Sequence, residues 1–233
     1  MFRMKVLAID TATEACSAAL GIGETILARY EEPGRAHAER ILPMVDELLA
    51  EAGVSLSQLD AIAFGRGPGA FTGLRIAAGV AQGLAFGAGL VVIPVSNLAA
   101  LAERALAEHD GDAVLVCMDA RMAEVYWCAF QHYALGEARA LGAERVTSPD
   151  AVTLESAQQA GPSLIGAGTG FGAYPALAAR VGLAPASVAG HLLPRAHEIV
   201  RIARRELKAG RTLAPDGALP SYLRDQVAIV PRS

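Results

Sequence analysis

The sequence lacks any apolar run near the roughly 18 consecutive residues that suggest a membrane-spanning helix. It also has only three cysteines, an odd number that does not make a disulfide framework. Cys16, Cys117 and Cys128 all lie inside apolar runs that are typical of strands. We therefore expect three buried, free thiols and a location in the reducing cytoplasm.

A strong charge imbalance is absent as well. The net charge is −4 at pH 7, from 20 basic and 24 acidic residues, which argues against an autonomous nucleic-acid-binding protein. Hydrophobic residues make up 53% of the chain and charged residues 19%, which is typical of a well-packed globular protein. Residues 1–6 lead directly into an alternating strand pattern, so no signal peptide is expected.

The motifs of several enzyme classes are missing. No two of the five histidines are four residues apart, so the sequence has no His-x-x-x-His metal pair on one helix face. No metal ligands are predicted. A Gly-x-Ser-x-Gly turn and a Walker loop are also absent. A peptidase is therefore disfavoured, because only unpaired serine, histidine and aspartate residues remain for it.

Three short strands followed by alternating helices and strands are predicted for the first hundred residues. The pattern gives strands at 4–9, 15–20, 25–30, 61–64 and 90–94, and helices at 36–52, 72–87 and 96–109. Thr72 and Ser96 suit the N-caps of the second and third helices, and Gly53 suits the C-terminal cap of the first. This order of elements is that of an actin/Hsp70/hexokinase-like half-domain.

A second, shorter copy of the pattern follows. The apolar run at 114–119 ends in Asp119, as the first strand ends in Asp10, and another strand is expected directly after it. The copy is imperfect, and chance recurrence of an apolar strand ending in aspartate is the alternative. Beyond it we expect a strand at 163–166, helices at 149–159, 173–180 and 196–209, and an extended tail from 217.

The fold class that follows from this repeat is α/β. We predict a two-lobed actin/Hsp70/hexokinase-like (ASKHA) fold made of duplicated ribonuclease H-like half-domains, with a reduced second lobe. Residues 1–109 would form the N-terminal lobe, to which the tail 216–233 returns, and residues 110–215 the smaller second lobe. No linker rich in serine, proline or charge separates them, so we expect the lobes to pack together.

Residues 65–75 form the most distinctive stretch of the chain. They follow a short apolar run and precede an uncharged segment rich in alanine, so a glycine-proline loop between a strand and a helix is expected. Gly67 and Gly69 permit positive φ on either side of Pro68. Backbone N–H groups at the helix start could hold an anion. The spacing, however, matches neither the dinucleotide fingerprint nor a Walker loop.

This stretch closely resembles the signature of the TsaB (YeaZ) family of bacterial tRNA-modification proteins. Further matches follow in the family's order at 7–17, 40–45, 119–127 and 222–224. The resemblance implies a non-catalytic subunit that binds and activates a TsaD-type transferase together with a TsaE-type ATPase. That machinery places a threonylcarbamoyl group on the adenosine 3′ of the anticodon in tRNAs reading codons that begin with A. The resemblance also implies ATP and metal on the partner subunits, tRNA only within the complex, and a homodimer when the chain is alone.

Asp10, Thr11, Gly168 and Thr169 are the candidate nucleotide-binding residues. The first phosphate loop of the actin-like fold has the pattern Asp-x-Gly-x-Thr, and Ala12 occupies the glycine position here. Its methyl group stands where the backbone approaches a phosphate most closely. Two interpretations stay open, a weak nucleotide site and a pair of simple turns, and the alanine favours the turns. A stand-alone ATPase or sugar kinase is the alternative function.

Two helices carry the candidate partner interface. A glycine recurs at every fourth residue of the second helix, and each costs about 0.8–1 kcal/mol relative to alanine, which close approach of another helix would offset. The helix at 36–52 is apolar over more than one face. Burial inside the lobe is the alternative, but in the TsaB family these two helices bundle with those of a partner. The candidate residues are Ile41, Met44, Val45, Leu48, Ile76, Gly79, Val80, Gly83 and Gly87.

A basic stripe marks the last predicted helix. Arg201, Arg204, Arg205 and Lys208 follow i, i+3, i+4 and i+7 spacing and so share one face. Such a face is usually solvated. Contact with tRNA inside the assembled complex is the alternative.

Overall fold

The computed structural model describes residues 3–134, 136–154 and 163–224. Its first sheet consists of β1 (Lys5–Asp10), β2 (Cys16–Ile22), β3 (Thr25–Glu31), β4 (Ala61–Gly67) and β5 (Val91–Ser96), in the order β3-β2-β1-β4-β5. β1 runs antiparallel to β2 and parallel to β4, and β5 extends the parallel part. The central strands are buried on both faces, which explains why they are apolar almost without interruption.

The second sheet repeats this arrangement. It consists of β6 (Ala113–Asp119), β7 (Val125–His132), β8 (Ala138–Ala140), β9 (Arg145–Thr147), β10 (Leu164–Ala167) and β11 (Val188–Ala189). Its order is β8-β7-β6-β10-β11, with β9 also paired to β7. β6 is antiparallel to β7 and parallel to β10, as β1 is to β2 and β4. The predicted duplication and the α/β fold class are thus confirmed.

Within the described ranges, six helices cover the two sheets. They are α1 (His37–Ala52), α2 (Phe71–Ala88), α3 (Asn97–Glu108), α4 (Gly170–Ala173), α5 (Ala176–Arg180) and α6 (Ala196–Lys208). α1 and α2 pack on the outer face of the first sheet, and residues of α4 and α5 pack on the outer face of the second. α3 and α6 contact each other between the two sheets. None of the helices in the described residues is long and apolar enough to cross a membrane.

The two middle helices are exchanged between the lobes. α3 directly follows the first sheet in sequence, yet Leu98 and Leu101 pack with the core of the second sheet. α6 follows the second sheet, yet Ile199 and Val200 pack with the inner face of the first. The predicted division into residues 1–109 and 110–215 stays a prediction. It groups α3 with the first sheet and α6 with the second, although each helix packs mainly on the opposite sheet. Sequence adjacency, on which that division depends, does not report which sheet a connecting helix covers.

The ends of the helices test the predicted caps. Gly53 ends α1 in the left-handed conformation with φ 64°, and the Ser96 side chain accepts a hydrogen bond from the Ala99 N–H, so both predictions are confirmed. The prediction for Thr72 is wrong, since α2 begins at Phe71. Ala70, which precedes it, provides no side-chain cap.

Two predicted helices in the second lobe compare differently with the structure. In the described part of the range 149–159 there is a 3₁₀ turn at Pro149–Ala151, while residues 155–159 of this predicted helix lie outside the described ranges. The helix expected at 173–180 is observed as α5 at Ala176–Arg180. Pro175, which lacks the N–H that a continuous helix needs, separates it from the preceding α4.

The segment after α6 returns to the first lobe. Leu213 pairs with Val92 at the edge of β5, Ala218 is buried against the core beneath α1 and α2, and the Ser221 N–H donates to the Arg66 carbonyl oxygen at 2.7 Å. Residues 225–233 of the predicted tail lie outside the described residues.

Candidate functional site

A cavity of about 1000 Å³ lies between the two lobes. Its walls are the loop after β1, the start of α2, the turn between β6 and β7, and residues 221–224. Because β1 and β6 occupy equivalent positions in the two sheets, their carboxyl ends approach the cavity from opposite sides. The duplication therefore creates the cleft and sets which loops line it.

Most of the charged groups that line this cleft are in ion pairs, either with each other or with a neighbouring residue. Arg121 contacts Glu14 of the first lobe at 3.2 Å and Asp119 at 3.2 Å. Arg224 contacts Glu124 through its Nε atom at 2.9 Å. These ion pairs neutralise much of the charge that an anionic ligand would meet.

Asp10 lies behind the wall of the cleft and not on it. It is fully buried, and its Oδ1 atom accepts hydrogen bonds from the Asn97 side chain at 2.8 Å and from the Ala12 N–H at 3.3 Å. The Oδ2 atom is buried without a hydrogen-bond partner among the described residues. Burial, opposed in part by these hydrogen bonds, raises the pKa of Asp10 to about 7.

Asn97 connects Asp10 to the glycine-proline loop. Its side-chain oxygen accepts a hydrogen bond from the Gly67 N–H at 2.8 Å. Asn97 was not predicted as a site residue from the sequence. A usable signal was present, because Asn97 directly follows β5, and the carboxyl ends of the parallel strands β1, β4 and β5 lie at the same edge of the sheet.

The glycines of residues 65–75 serve close packing between loops. A Cβ atom on Gly65 would overlap the Asp10 carboxylate, and one on Gly73 would overlap the Thr11 carbonyl oxygen. Gly67 has φ 115°, as predicted, whereas Gly69 has no positive φ and instead lies against the Ala12 backbone. These contacts explain why the positions are glycine without reference to a phosphate group.

The second lobe repeats this packing. A Cβ atom on Gly168 or Gly170 would overlap the backbone of Cys117 near the end of β6. The Thr169 hydroxyl accepts a hydrogen bond from the Asp119 N–H at 3.0 Å. In the first lobe the Thr11 hydroxyl donates to the Gly73 carbonyl oxygen at 2.7 Å.

Only part of the predicted nucleotide site therefore reaches the cleft. Thr11 and Thr169 line the cavity from opposite lobes, but both hydroxyl groups already have partners. Asp10 is buried and Gly168 lies against the Cys117 backbone. The arrangement favours the interpretation of both segments as structural turns, and weak nucleotide binding stays a prediction.

The structure corrects the α1 part of the predicted partner interface. Ile41, Met44, Val45 and Leu48 are wrong as exposed contacts, because α1 turns these four side chains into the core of its own lobe, where each is at most 1% exposed. Ile76 and Val80 are partly buried at the edge of that core.

The glycine stripe of α2 lies on the surface. Gly79, Gly83 and Gly87 are exposed, and a Cβ atom on any of them would have no neighbour within 4 Å. Large apolar side chains are also exposed on α2 and α1: Phe86 of α2 is 80% accessible and Leu42 of α1 is 45% accessible. We call the residues Leu42, Gly79, Gly83, Phe86 and Gly87 the α2 face.

The basic stripe of α6 is mostly engaged inside the chain. Three of its members donate to internal partners, Arg201 to the Gly136 carbonyl oxygen, Arg204 to the Thr25 carbonyl oxygen and Arg205 to the Glu103 carboxylate. Glu103 is itself buried, which raises its pKa to about 7. Only Lys208 of the four is fully exposed. The expectation of a simple solvated face is therefore wrong for the three arginines. Contact with tRNA stays a prediction.

The cysteine thiols are buried, and two of the histidine rings are hydrogen-bonded within the chain. Cys16, Cys117 and Cys128 are free and buried, as predicted, and burial raises the pKa of each thiol. The His37 ring bonds the Thr13 carbonyl oxygen, and the His197 ring bonds the Glu198 carboxylate. Within the described ranges no group of three or more His, Cys, Asp or Glu residues is arranged to hold a metal ion.

Comparison with known proteins agrees with this architecture. The family model described as TsaD, tRNA N6-adenosine threonylcarbamoyltransferase, matches residues 30–231. The tRNA threonylcarbamoyladenosine biosynthesis protein TsaB of Escherichia coli is 44% identical over 225 residues, which cover 97% of this chain and 96% of that protein. The chain belongs to the TsaB family. The TsaB protein of Haemophilus influenzae is 41% identical, with 97% of this chain and 96% of that protein covered.

Solved structures of TsaB relatives have the same fold. YeaZ from Pseudomonas aeruginosa has a TM-score of 0.84 and 45% identity, covering 94% of this chain and all of that chain. A protein described as similar to the peptidase YeaZ from Pseudomonas aeruginosa has a TM-score of 0.87 and 47% identity, covering 95% of this chain and all of that chain. In this member of the TsaB family, the glycines of the signature at 65–75 make the close packing contacts described above.

Proposed function

We propose that this protein is a non-catalytic subunit of the machinery that makes threonylcarbamoyladenosine in tRNA. In this proposal it binds and activates a TsaD-type transferase, acts together with a TsaE-type ATPase in the cytoplasm, and meets tRNA only within the complex. ATP and metal ions belong to the partner subunits. The single observation that carries the proposal is the exposed α2 face on a chain of the TsaB family.

The α2 face has the chemistry of a helix-packing surface. Three exposed glycines at i, i+4 and i+8 leave a shallow groove along α2 in which a second helix could approach closely. Phe86 supplies exposed apolar area on the same helix, and Leu42 supplies more on α1. Exposed apolar surface of this kind is typical of protein–protein interfaces.

The match of the chain to the TsaD family model supports a TsaD-type protein as the partner. The TsaD family model matches residues 30–231, a range that includes both α1 and α2. A TsaD-type protein should therefore present an equivalent helix pair, and two such pairs can pack about a two-fold or pseudo-two-fold axis. A second copy of this chain offers the same surface, which supports a homodimer when the partner is absent.

A non-catalytic role agrees with the chemistry of the described residues. The buried Asp10, the engaged threonine hydroxyls and the paired histidines offer no free acid, base or nucleophile aligned in the cleft. Activation through contact therefore explains more of this chain than catalysis does.

Substitution of Gly83 with leucine tests the proposal. A side chain at this exposed position meets nothing within the chain, so Gly83→Leu should fold normally. It should also fill the groove and weaken binding to a TsaD-type protein about tenfold to a hundredfold, since overpacking costs about 1–3 kcal/mol. Binding is measured by calorimetry, and threonylcarbamoyladenosine is measured in tRNA from cells whose own copy carries the variant.

Gly172→Leu is the matched control. Gly172 is also an exposed helical glycine with no neighbour within 4 Å of its Cβ position, but it lies on α4 of the second lobe. Its substitution should leave affinity unchanged. A folded Gly83→Leu protein that binds the transferase as tightly as the Gly172→Leu protein would refute the proposed interface, and loss of homodimers alone would assign the α2 face to self-association.

A further inference from the structure

The C-terminal segment 219–224 crosses the mouth of the cleft, and its first anchors lie on the first lobe. The Ser221 N–H donates to the Arg66 carbonyl oxygen at 2.7 Å. The Tyr222 hydroxyl accepts from the Arg75 Nε atom at 3.1 Å, and the Tyr222 ring lies 5.6 Å from that of Phe71. The segment is therefore attached to the end of β4 and to the start of α2.

Its second anchor lies on the other lobe. The Arg224 guanidinium donates to the Glu124 carboxylate at 2.9 Å and to the Ala120 carbonyl oxygen at 3.2 Å, and it contacts the Met122 sulfur at 3.4 Å. All three partners belong to the turn between β6 and β7. Within four residues, the segment thus bonds both walls of the cleft.

The turn that Arg224 holds has an unusual backbone. Arg121, Met122 and Ala123 have φ values of 59°, 56° and 59°, and none of them is glycine. The left-handed region is unfavourable for residues with a Cβ atom, and such residues persist there only when the surroundings hold them. Arg224 supplies contacts from one side, and the Arg121 ion pair with Glu14 of the first lobe supplies another.

We propose that residues 219–224 act as a strap that ties the two lobes together and keeps the 121–123 turn in its left-handed conformation. Release of the strap at either anchor lets the turn relax and lets the cleft open. The strap therefore controls access to the cavity between the lobes, and this role is independent of the partner that the α2 face binds.

Hydrogen exchange of the full-length protein tests the hold on the turn. The Ala120 N–H bonds the Glu124 carbonyl oxygen, and the Glu124 N–H bonds the Arg121 carbonyl oxygen. In Arg224→Ala these two amides should exchange about tenfold faster or more, since charge-assisted hydrogen bonds that close the turn are lost. Tyr222→Ala, which removes the anchor on the first lobe, should accelerate the same amides.

A distance measurement tests the tie between the lobes. Spin labels are attached at Ser57→Cys in the first lobe and Ala140→Cys in the second, both exposed positions, while the native thiols are buried. Release of the strap should broaden the distance distribution and shift it to longer values. Arg180→Ala is the control, because Arg180 pairs with Asp150 within the second lobe, and it should change neither readout.

The outcomes separate cleanly. Faster exchange in the turn together with a broadened distance distribution, in a strap variant whose circular dichroism is native, supports the strap. Wild-type exchange or a wild-type distance distribution in both Arg224→Ala and Tyr222→Ala overturns it. If one of the two variants does not fold, the other decides alone.

Discussion

Two glycines of α2 should respond in opposite directions to the same substitution. At Gly73 a new Cβ atom would lie far inside 3.0 Å of the Thr11 carbonyl oxygen, which belongs to the backbone and cannot swing away. At Gly79, two turns further along the helix, the new atom would have no neighbour within 4 Å. Gly73→Ala and Gly79→Ala therefore compare a packed glycine with an open one in a single helix.

The magnitudes follow from these surroundings. Alanine is more favourable than glycine in a helix by about 0.8–1 kcal/mol, so Gly79→Ala should raise the free energy of unfolding by roughly that amount. Gly73→Ala should lower it by a net value of about 1–3 kcal/mol, since the same gain of about 1 kcal/mol from alanine offsets part of two losses. Overpacking contributes about 1–3 kcal/mol, and displacement of the loop breaks the Thr11 hydroxyl hydrogen bond to Gly73, worth about 1 kcal/mol.

Thermal and urea unfolding of the purified variants measure both effects. For a chain of this size 1 kcal/mol shifts the midpoint by about 2–4 °C, so Gly79→Ala should melt slightly above wild type and Gly73→Ala clearly below it. Gly79→Ala should at the same time bind a TsaD-type partner less tightly, because its methyl group enters the groove. Shifts of the same sign and size for the two variants would refute the assignment of Gly73 to loop packing and Gly79 to the open face.

Two further predictions concern Asp10. The isolated chain should turn over no ATP above background, and a metal-dependent turnover that Asp10→Asn abolishes would contradict the proposed non-catalytic role. The pKa of Asp10 is raised from 3.8 to about 7 in the folded protein, so its contribution to stability is full below pH 4 and is lost as the pH rises through 7. The contribution of Asp10 to the free energy of unfolding should therefore fall between pH 4 and 7, and in urea titrations the slope over this range should be less negative for Asp10→Asn than for the wild type. Glu103, whose pKa is also raised to about 7, accounts for part of the remaining slope, and an unchanged slope in the variant would count against a buried, protonated Asp10.

Local patterns in the sequence predicted the first lobe closely. The helix expected at 36–52 is observed at His37–Ala52, and the helix from Thr72 is observed at Phe71–Ala88. The bounds of these helices follow from short-range signals, namely the apolar periodicity and the glycine and serine residues at the helix ends. The repeat that begins at Val114 predicted the second sheet for the same reason.

Contacts between distant segments were not predictable in this way. The wide apolar coverage of α1 indicated that two faces are hydrophobic, but not that Ile41, Met44, Val45 and Leu48 form the face on the core and Leu42 the exposed one. The basic spacing on α6 could not show that Arg205 reaches Glu103 on α3. Both depend on how helices pack on sheets that are remote in sequence.

The candidate site shows the same division. Asp10 and residues 65–75 were recognisable as a pattern. Their common partner Asn97 was missed although its place after β5 was a usable signal, and the contacts of residues 221–224 across the cleft were not predictable. The hydrogen bond between the Asn97 side chain and Asp10 joins the first residue of α3 to the last residue of β1, which come together only in the folded lobe. The family signature therefore identified the loop, while its physical role as a packed junction required the three-dimensional arrangement.

The exchange of α3 and α6 imposes an order on biosynthesis. The first sheet is complete in sequence at Ser96, but the next helix to emerge, α3, packs mainly on a sheet that has not yet been made. The face that carries Val6, Ala8 and Ala19 is covered only when Lys208 has left the ribosome. A nascent first lobe therefore keeps an apolar face open while the entire second sheet is translated, and such exposed surface attracts chaperones and promotes aggregation. The second sheet, in contrast, already has α3 available when β11 is made, so the lobe that begins first in the sequence is the one that is covered last.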